Sequence, residues 1–152
     1  MREHIGREHP AEGVFIFRGQ PTIVFLTVCA RKRERKLASA PVHKALVKAW
    51  ITSGAWSVGY YQIMPDHVHL FCAPNNESYS IEQWITFWKR QFRRASGSDA
   101  PRFQAHGFHH RLRRDENYGE KWDYVRANPV RAGLVANPDD WPYQGVLNEL
   151  RW

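Results

Sequence analysis

The sequence predicts an α+β domain, an antiparallel sheet with helices on one face and a further helix toward the C-terminus. Three observations predict it. Runs rich in β-branched and aromatic residues at 22–30, 56–63 and 67–73 read as strands. Apolar residues recur at helical spacing after Ser39 and again after Ser80. With 152 residues, 43% of them hydrophobic, the chain suffices for one domain with a core that needs no crosslinks.

The elements follow in order. Residues 1–20, with Arg2, His4, Arg7 and His9, read as an N-terminal basic arm in which Val14–Phe17 suit a short edge strand. The arm fits a frayed terminus or a segment that touches DNA equally well. Residues 22–30 are apolar on both faces, as in a central strand. Arg31–Lys36 is a cationic loop that should lie beside the sheet. Ser39 suits an N-cap and Pro41 a first turn. Val42, Ala45, Leu46, Ala49 and Trp50 form the first buried stripe, and Gly54 suits the stop. Trp56–Ile63 and His67–Ala73 are the second and third strands. Ser80 with Gln83 is a capping-box pattern, and Ile81, Trp84, Ile85, Trp88 and Phe92 mark the second helix. A short fourth strand falls within Phe108–Arg114, with His110 and Leu112 on one side. The last helix carries Trp122, Val125 and Tyr118 on its apolar stripe and ends at Asn128, because Pro129 disfavours the α conformation before it. A short helix through Val130–Leu134 follows. The strand and helix order β-α-β-β-α-β is that of a ferredoxin-like or RRM-like sheet. We assign residues 21–135 to this single domain and 136–152 to a tail packed on it.

Composition narrows the function. The net charge is +7, with seven Trp and 14% aromatic residues, which suits a nucleic-acid partner. No apolar run approaches the ~20 residues of a membrane span. Met1–Gly6 lacks the apolar core of a signal peptide, so a cytoplasmic, nucleoid-associated protein is expected. Cys29 and Cys72 fall in strand-like runs without a Cys-x-x-Cys pair, as buried reduced residues do.

The residues that carry chemistry stand in Tyr60–Pro74. After a tight Pro65-Asp66 turn the pattern alternates strictly. Val68, Leu70 and Cys72 take the core face; His67, His69 and Phe71 take the other. Two imidazoles two residues apart on a strand lie roughly 7 Å apart at Cα, close enough for two ring nitrogens to converge on one metal ion.

Met64-Pro65-Asp66-His67-Val68-His69-Leu70 resembles the His-hydrophobe-His (HUH) motif of single-tyrosine transposases, and within them the REP-associated tyrosine transposases. Trp122-Asp123-Tyr124-Val125-Arg126-Ala127-Asn128-Pro129-Val130 resembles the family's second motif, a nucleophilic tyrosine four residues before an amide. Asn137–Tyr143 is similar to its closing segment, so the likeness runs from Thr22 to Tyr143.

The resemblance implies a single-stranded DNA endonuclease and strand transferase acting near palindromic hairpin repeats. Tyr124 would be the nucleophile, giving a 5′-phosphotyrosine and a free 3′-hydroxyl on the C-terminal, catalytic-tyrosine helix. His67, His69 and Asn128 would hold a divalent metal, Mg²⁺ or Mn²⁺, as mixed imidazole and oxygen ligands suit. Single-stranded or hairpin DNA would lie along Arg31, Lys32, Arg33, Arg35, Lys36, Lys89, Arg90, Arg93, Arg94, Arg111, Arg113 and Arg114. His106, His109 and His110 are alternative ligands or phosphate contacts. Within this family single subunits act, so a monomer is favoured over a dimer. Two other classes make different demands. A non-catalytic nucleic-acid-binding module on an RRM-like sheet needs neither the histidine pair nor Tyr124. A His-x-His metal hydrolase calls for a larger barrel with further acidic or His ligands.

Overall fold

The computed structural model describes residues 22–113 and 117–151. Five antiparallel strands form one sheet in the order β4-β1-β3-β2-β5. These are β1 (Val24–Cys29), β2 (Trp56–Ile63), β3 (His67–Pro74), β4 (Phe108–Arg111) and β5 (Gln144–Val146). The first four follow the predicted β-α-β-β-α-β path, with β1 central as its two apolar faces require. β5 extends the sheet beyond β2, pairing Tyr60 with Val146 and Gln62 with Gln144. No strand is expected there from the sequence. Three residues carry little alternation, and it is the neighbour's open edge that makes them a strand.

α1 (Ala40–Thr52) and α2 (Ile81–Ser96) cover one face of the sheet. Ser39 caps α1 by accepting from Val42 N at 3.3 Å. Ser80 and Gln83 close the capping box reciprocally, at 3.1 and 2.9 Å. The predicted stripes of both helices are buried against Val24, Leu26, Val28, Val68, Leu70 and Cys72. Trp84 and Trp88 are fully enclosed there; truncating a ring of this kind costs about 3–5 kcal/mol. Both cysteines are free and buried, as expected.

The opposite face is covered by α3 (Tyr118–Arg126) and the short α4 (Asn128–Arg131). Trp122 and Val125 pack on Ile23, Phe71 and Leu112, flanked by Tyr60 and Tyr118. The Tyr60 and Trp122 rings stack 4.7 Å apart. Asn128 does not end α3 as expected. The helix stops at Arg126, and Asn128 is the first residue of α4, with Pro129 in its first turn. Proline constrains the residue before it, but it is tolerated where a new helix begins. α4 ends at Arg131, sooner than expected, and Gly133 (φ +74) follows its C-cap Ala132. Gly133 N bonds Val130 O at 3.0 Å and Leu134 N bonds Pro129 O at 2.9 Å, a Schellman closure that satisfies the last carbonyls.

One irregularity positions the site. The β2–β3 register shifts between Val58 and Tyr61. One extra residue on β2 inverts its alternation, so Trp56, Val58, Tyr61 and Ile63 all reach the α1/α2 core. Gln62 is thereby turned to the face of α3 and α4. Gly59, at the bulge, admits α3: a Cβ there would meet Tyr118 Oη at 2.4 Å and Leu150 Cγ at 2.7 Å.

The predicted arm, residues 1–20 with its Val14–Phe17 strand, lies outside the described residues. Along 136–152, Trp141 donates to Ile63 O at 3.1 Å, and Arg126 of α3 pairs with Asp139. Among the described residues no helix is long and apolar enough to cross a membrane.

Candidate active site

The strand alternation read from the sequence holds. Val68, Leu70 and Cys72 enter the α1/α2 core, and His67 and His69 stand on the other face. Their Nε2 atoms converge to 3.1 Å. Each ring is held from behind. Asp66 Oδ1 lies 2.8 Å from His67 Nδ1. Thr27 Oγ1, directly across from His69 on β1, lies 2.8 Å from its Nδ1.

Asp66 is itself anchored. Arg33 donates to its Oδ2 from Nε at 3.0 Å and Nη2 at 2.9 Å. Burial works against ionisation of Asp66, but the bonds from His67 and Arg33 outweigh it and hold the carboxyl below its usual range. Lys32 and Arg33 both sit at positive φ, +57° and +53°, a conformation that costs non-glycine residues energy. The turn delivers Arg33 to Asp66. The loop is pinned over the β2–β3 turn by Ala30 N to Asp66 O and Leu37 N to Pro65 O.

One proton arrangement satisfies all four imidazole nitrogens. His67 donates from Nδ1 to Asp66, His69 donates from Nε2 to His67 Nε2, and Thr27 donates to His69 Nδ1. A cation between the two Nε2 atoms requires only that His69 shift its proton to Nδ1, where Thr27 accepts it, since a hydroxyl serves either way. Burial, then the charges of His67 and Arg131, push the His69 pKa down to about 3, which keeps its lone pair available. These residues fit a divalent metal. No cluster of three His, Cys, Asp or Glu exists among the described residues, so a third ligand drawn from them would be of another type.

Asn128 is of that type and it is close by. A cavity of about 260 Å³ is lined by Phe25, His69, His110, Tyr124 and Asn128, among others. Tyr124 at the end of α3 and Asn128 at the start of α4 both line it. Asn128 donates from Nδ2 to Gln62 Oε1 at 3.2 Å, and its Oδ1 accepts from Arg131. Gln62 is fully buried opposite His69 on β2, and its Nε2 has no hydrogen-bond partner among the described residues. Tyr124 is 69% exposed, with the Arg131 guanidinium 4.2 Å over its ring. Tyr118, the other tyrosine of α3, is packed against Tyr60 and Phe71. Its hydroxyl lies 3.2 Å from Tyr60 N, and burial pushes its pKa up to about 12.

The basic residues divide. Arg31, Lys32, Arg35 and Lys36 are exposed in the loop beside the histidine turn, where the sequence places them. Arg33 is turned to Asp66. Lys89, Arg90, Arg93 and Arg94 are on α2, across the sheet from the histidines. Their stripe-mates must bury against the face that Val68 and Leu70 share, so the cations come to lie in the other layer. Lys89 is half-buried and donates to Gln104 O at 2.6 Å, tying down the loop before β4. Arg111 shares the face of His109, which pairs with Glu82 of α2 at 3.3 Å. Arg113 is exposed, and Arg114 lies outside the described residues. His110 is on the site face, with Phe25 stacked on His69 and meeting the His110 ring at a tilt. His106 is exposed in the loop before β4.

Thr27, Gln62 and Arg131 receive no role from the sequence alone. A lone Gln inside an apolar strand was the signal for Gln62. Thr27 and Arg131 are found only through register and packing.

The architecture is therefore an α+β domain whose sheet carries a buttressed histidine pair facing a tyrosine helix. No family model matches the chain. A REP-associated tyrosine transposase of Escherichia coli (strain K12) is 27% identical over 126 residues, 78% of this chain and 73% of that protein. A Haemophilus influenzae protein named "Putative REP-associated tyrosine transposase" is 29% identical over 104 residues. That match spans 59% of this chain but only 58% of the relative's length. A solved structure of a REP-associated tyrosine transposase bound to a REP hairpin superposes with a TM-score of 0.68 at 24% identity. The superposition covers 82% of this chain and 76% of that one. This likeness establishes the shared fold, and the curated relatives carry the same family name that the two motifs suggested.

Proposed function

We propose that this protein is a metal-dependent single-stranded DNA endonuclease and strand transferase, a transposase that cuts beside palindromic hairpin repeats through a 5′-phosphotyrosine. One observation carries the reading. His69, whose Nε2 converges with that of His67, lines one cavity together with the exposed Tyr124 and Asn128, all within a single subunit. The names of the relatives, and the hairpin bound to the structural neighbour, support the same substrate.

His67, His69 and Asn128 would hold Mg²⁺ or Mn²⁺, which would supply positive charge to a phosphate oxygen and to the leaving 3′-oxygen. Asp66 and Thr27 keep the two rings aimed, as residues behind metal ligands do. The Tyr124 phenolic oxygen attacks the phosphorus and gives up its proton to solvent. The O–P bond to the 5′ side forms as the P–O3′ bond breaks, and the 3′-oxygen takes up a proton. Because the bond energy is kept in the phosphotyrosine, a 3′-hydroxyl can reverse the step and join strands. Tyr118 is a poor nucleophile, being packed and hydrogen-bonded. The exposed Arg31, Lys32, Arg35 and Lys36 would contact the backbone of the incoming strand. With every site residue from one chain, a monomer suffices.

The test uses labelled hairpin DNA from repeats flanking the gene, with Mn²⁺ or Mg²⁺. A denaturant-resistant protein–DNA adduct is expected, lost in Tyr124→Phe and in His67→Ala. Tight binding without an adduct under either ion would instead make the protein a non-catalytic binder.

A further inference from the structure

Arg131 lies against Tyr124 and Asn128, within electrostatic reach of His69. Its guanidinium sits 4.2 Å over the Tyr124 ring. Nη2 donates to Tyr124 O at 2.9 Å and to Asn128 Oδ1. Its charge also reaches His69, where it opposes protonation. An arginine carries five N–H donors, and both contacts use Nη2. Nε and Nη1 have no partner among the described residues, and the side chain is exposed.

A cation held against a tyrosine and an asparagine, with donors to spare, suits an anion rather than a helix end. A guanidinium matches a phosphate's paired oxygens, and one held rigid by stacking loses little freedom on binding. The four cations of α2 lie across the sheet, and those of the 31–36 loop stand beside the histidine turn. Among these assigned cations none touches Tyr124, whereas Arg131 does.

We infer that Arg131 is a catalytic residue that grips the non-bridging oxygens of the phosphate attacked by Tyr124. This rests on the tyrosine-transposase reading and adds to it the group that recognises the reacting phosphate. The guanidinium holds the phosphate over the phenol and stabilises the charge that builds on its oxygens in the transition state. A phosphate oxygen would take the Nη2 donor now given to Asn128 Oδ1 while the guanidinium keeps its place over Tyr124, leaving the amide oxygen free for the metal.

The rival role is structural: Arg131 merely caps the end of α3 through Tyr124 O. The two separate when the cleavage site has been mapped from the adduct and its phosphate replaced by a methylphosphonate, which lacks one charged oxygen. On the natural phosphate, Arg131→Ala should slow adduct formation by roughly 10²–10³-fold, the usual loss for one transition-state donor. Arg131→Lys should recover part of the rate, and guanidinium ion at millimolar concentration should rescue the alanine variant. On the methylphosphonate isomer lacking the gripped oxygen, wild type and Arg131→Ala should react within a few-fold of each other. Equal slowing on both substrates with no guanidinium rescue, or an unchanged rate on the natural phosphate, would overturn the assignment. A wild-type protein that forms no Tyr124-dependent adduct with any divalent ion sinks the transposase reading, and Arg131's role with it. An adduct that depends on Tyr124 but ignores Arg131 removes only Arg131.

Discussion

Thr27 stands directly opposite His69 in the β1–β3 ladder, with its hydroxyl 2.8 Å from the imidazole Nδ1. On the neighbouring residue of the motif, Asp66 does the same for His67. The pair is thus aimed by one neutral and one charged partner. Thr27→Val keeps the shape and removes the hydroxyl; Asp66→Asn removes the charge. Each is expected to weaken Mn²⁺ binding by about 10–100-fold, the usual loss for a residue behind a ligand. Titration of Mn²⁺ by electron paramagnetic resonance measures it. Unchanged affinity in both variants would mean the rings need no support.

Tyr118 and Tyr124 lie on one helix in opposite surroundings. Tyr118→Phe loses the bond to Tyr60 N and should cost about 1 kcal/mol in urea unfolding, while the protein–DNA adduct still forms. Tyr124→Phe removes a hydroxyl from an exposed ring, so its stability should stay within about 0.5 kcal/mol of wild type, while the adduct disappears. The reverse pattern would exchange their roles.

Gly59 is where α3 approaches the sheet. A methyl there meets Tyr118 Oη at 2.4 Å and Leu150 side-chain carbons at 2.7 Å. Gly59→Ala should therefore destabilise by about 1–3 kcal/mol. It should also lower the adduct yield, because α3 carries Tyr124. Wild-type stability and yield together would show that the helix is placed by other contacts.

Acid should loosen the metal-free protein through His69. Its folded pKa is pushed down to about 3 by burial and by the charges of His67 and Arg131, against about 6.5 in an unfolded chain. Between those values the unfolded state binds the proton and the folded state does not, so stability rises with pH and is lost as pH falls from 6.5 toward 3. The slope from this group is at most about 1.4 kcal/mol per pH unit. Urea midpoints measured across that range should fall less steeply in His69→Gln. Parallel curves for the two proteins would mean that other groups set the acid limb.

Much of this was written in the chain itself. Strict alternation through His67–Cys72 assigned each residue to a face, because a strand has period two and only one set was apolar. The α2 stripe of Ile81, Trp84, Ile85, Trp88 and Phe92 likewise required a single buried side. Such patterns are local, and local geometry turns them into structure.

What the tertiary structure decided depends on contacts between distant segments. The bulge at Gly59–Tyr60 turns Gln62 toward Asn128, and one inserted residue leaves no mark on hydrophobicity. Strand register set Thr27 behind His69. The strained Arg31–Arg33 turn took Arg33 for Asp66. The layering of helices put the basic face of α2 on the far side of the sheet from the histidines. Arg131 meets Tyr124 across the junction where the chain leaves α3 at Ala127 and restarts at Asn128. A charge pattern in sequence gives the sign of a surface. Which surface it joins is determined by how the apolar faces pair, and that follows from burying them all at once.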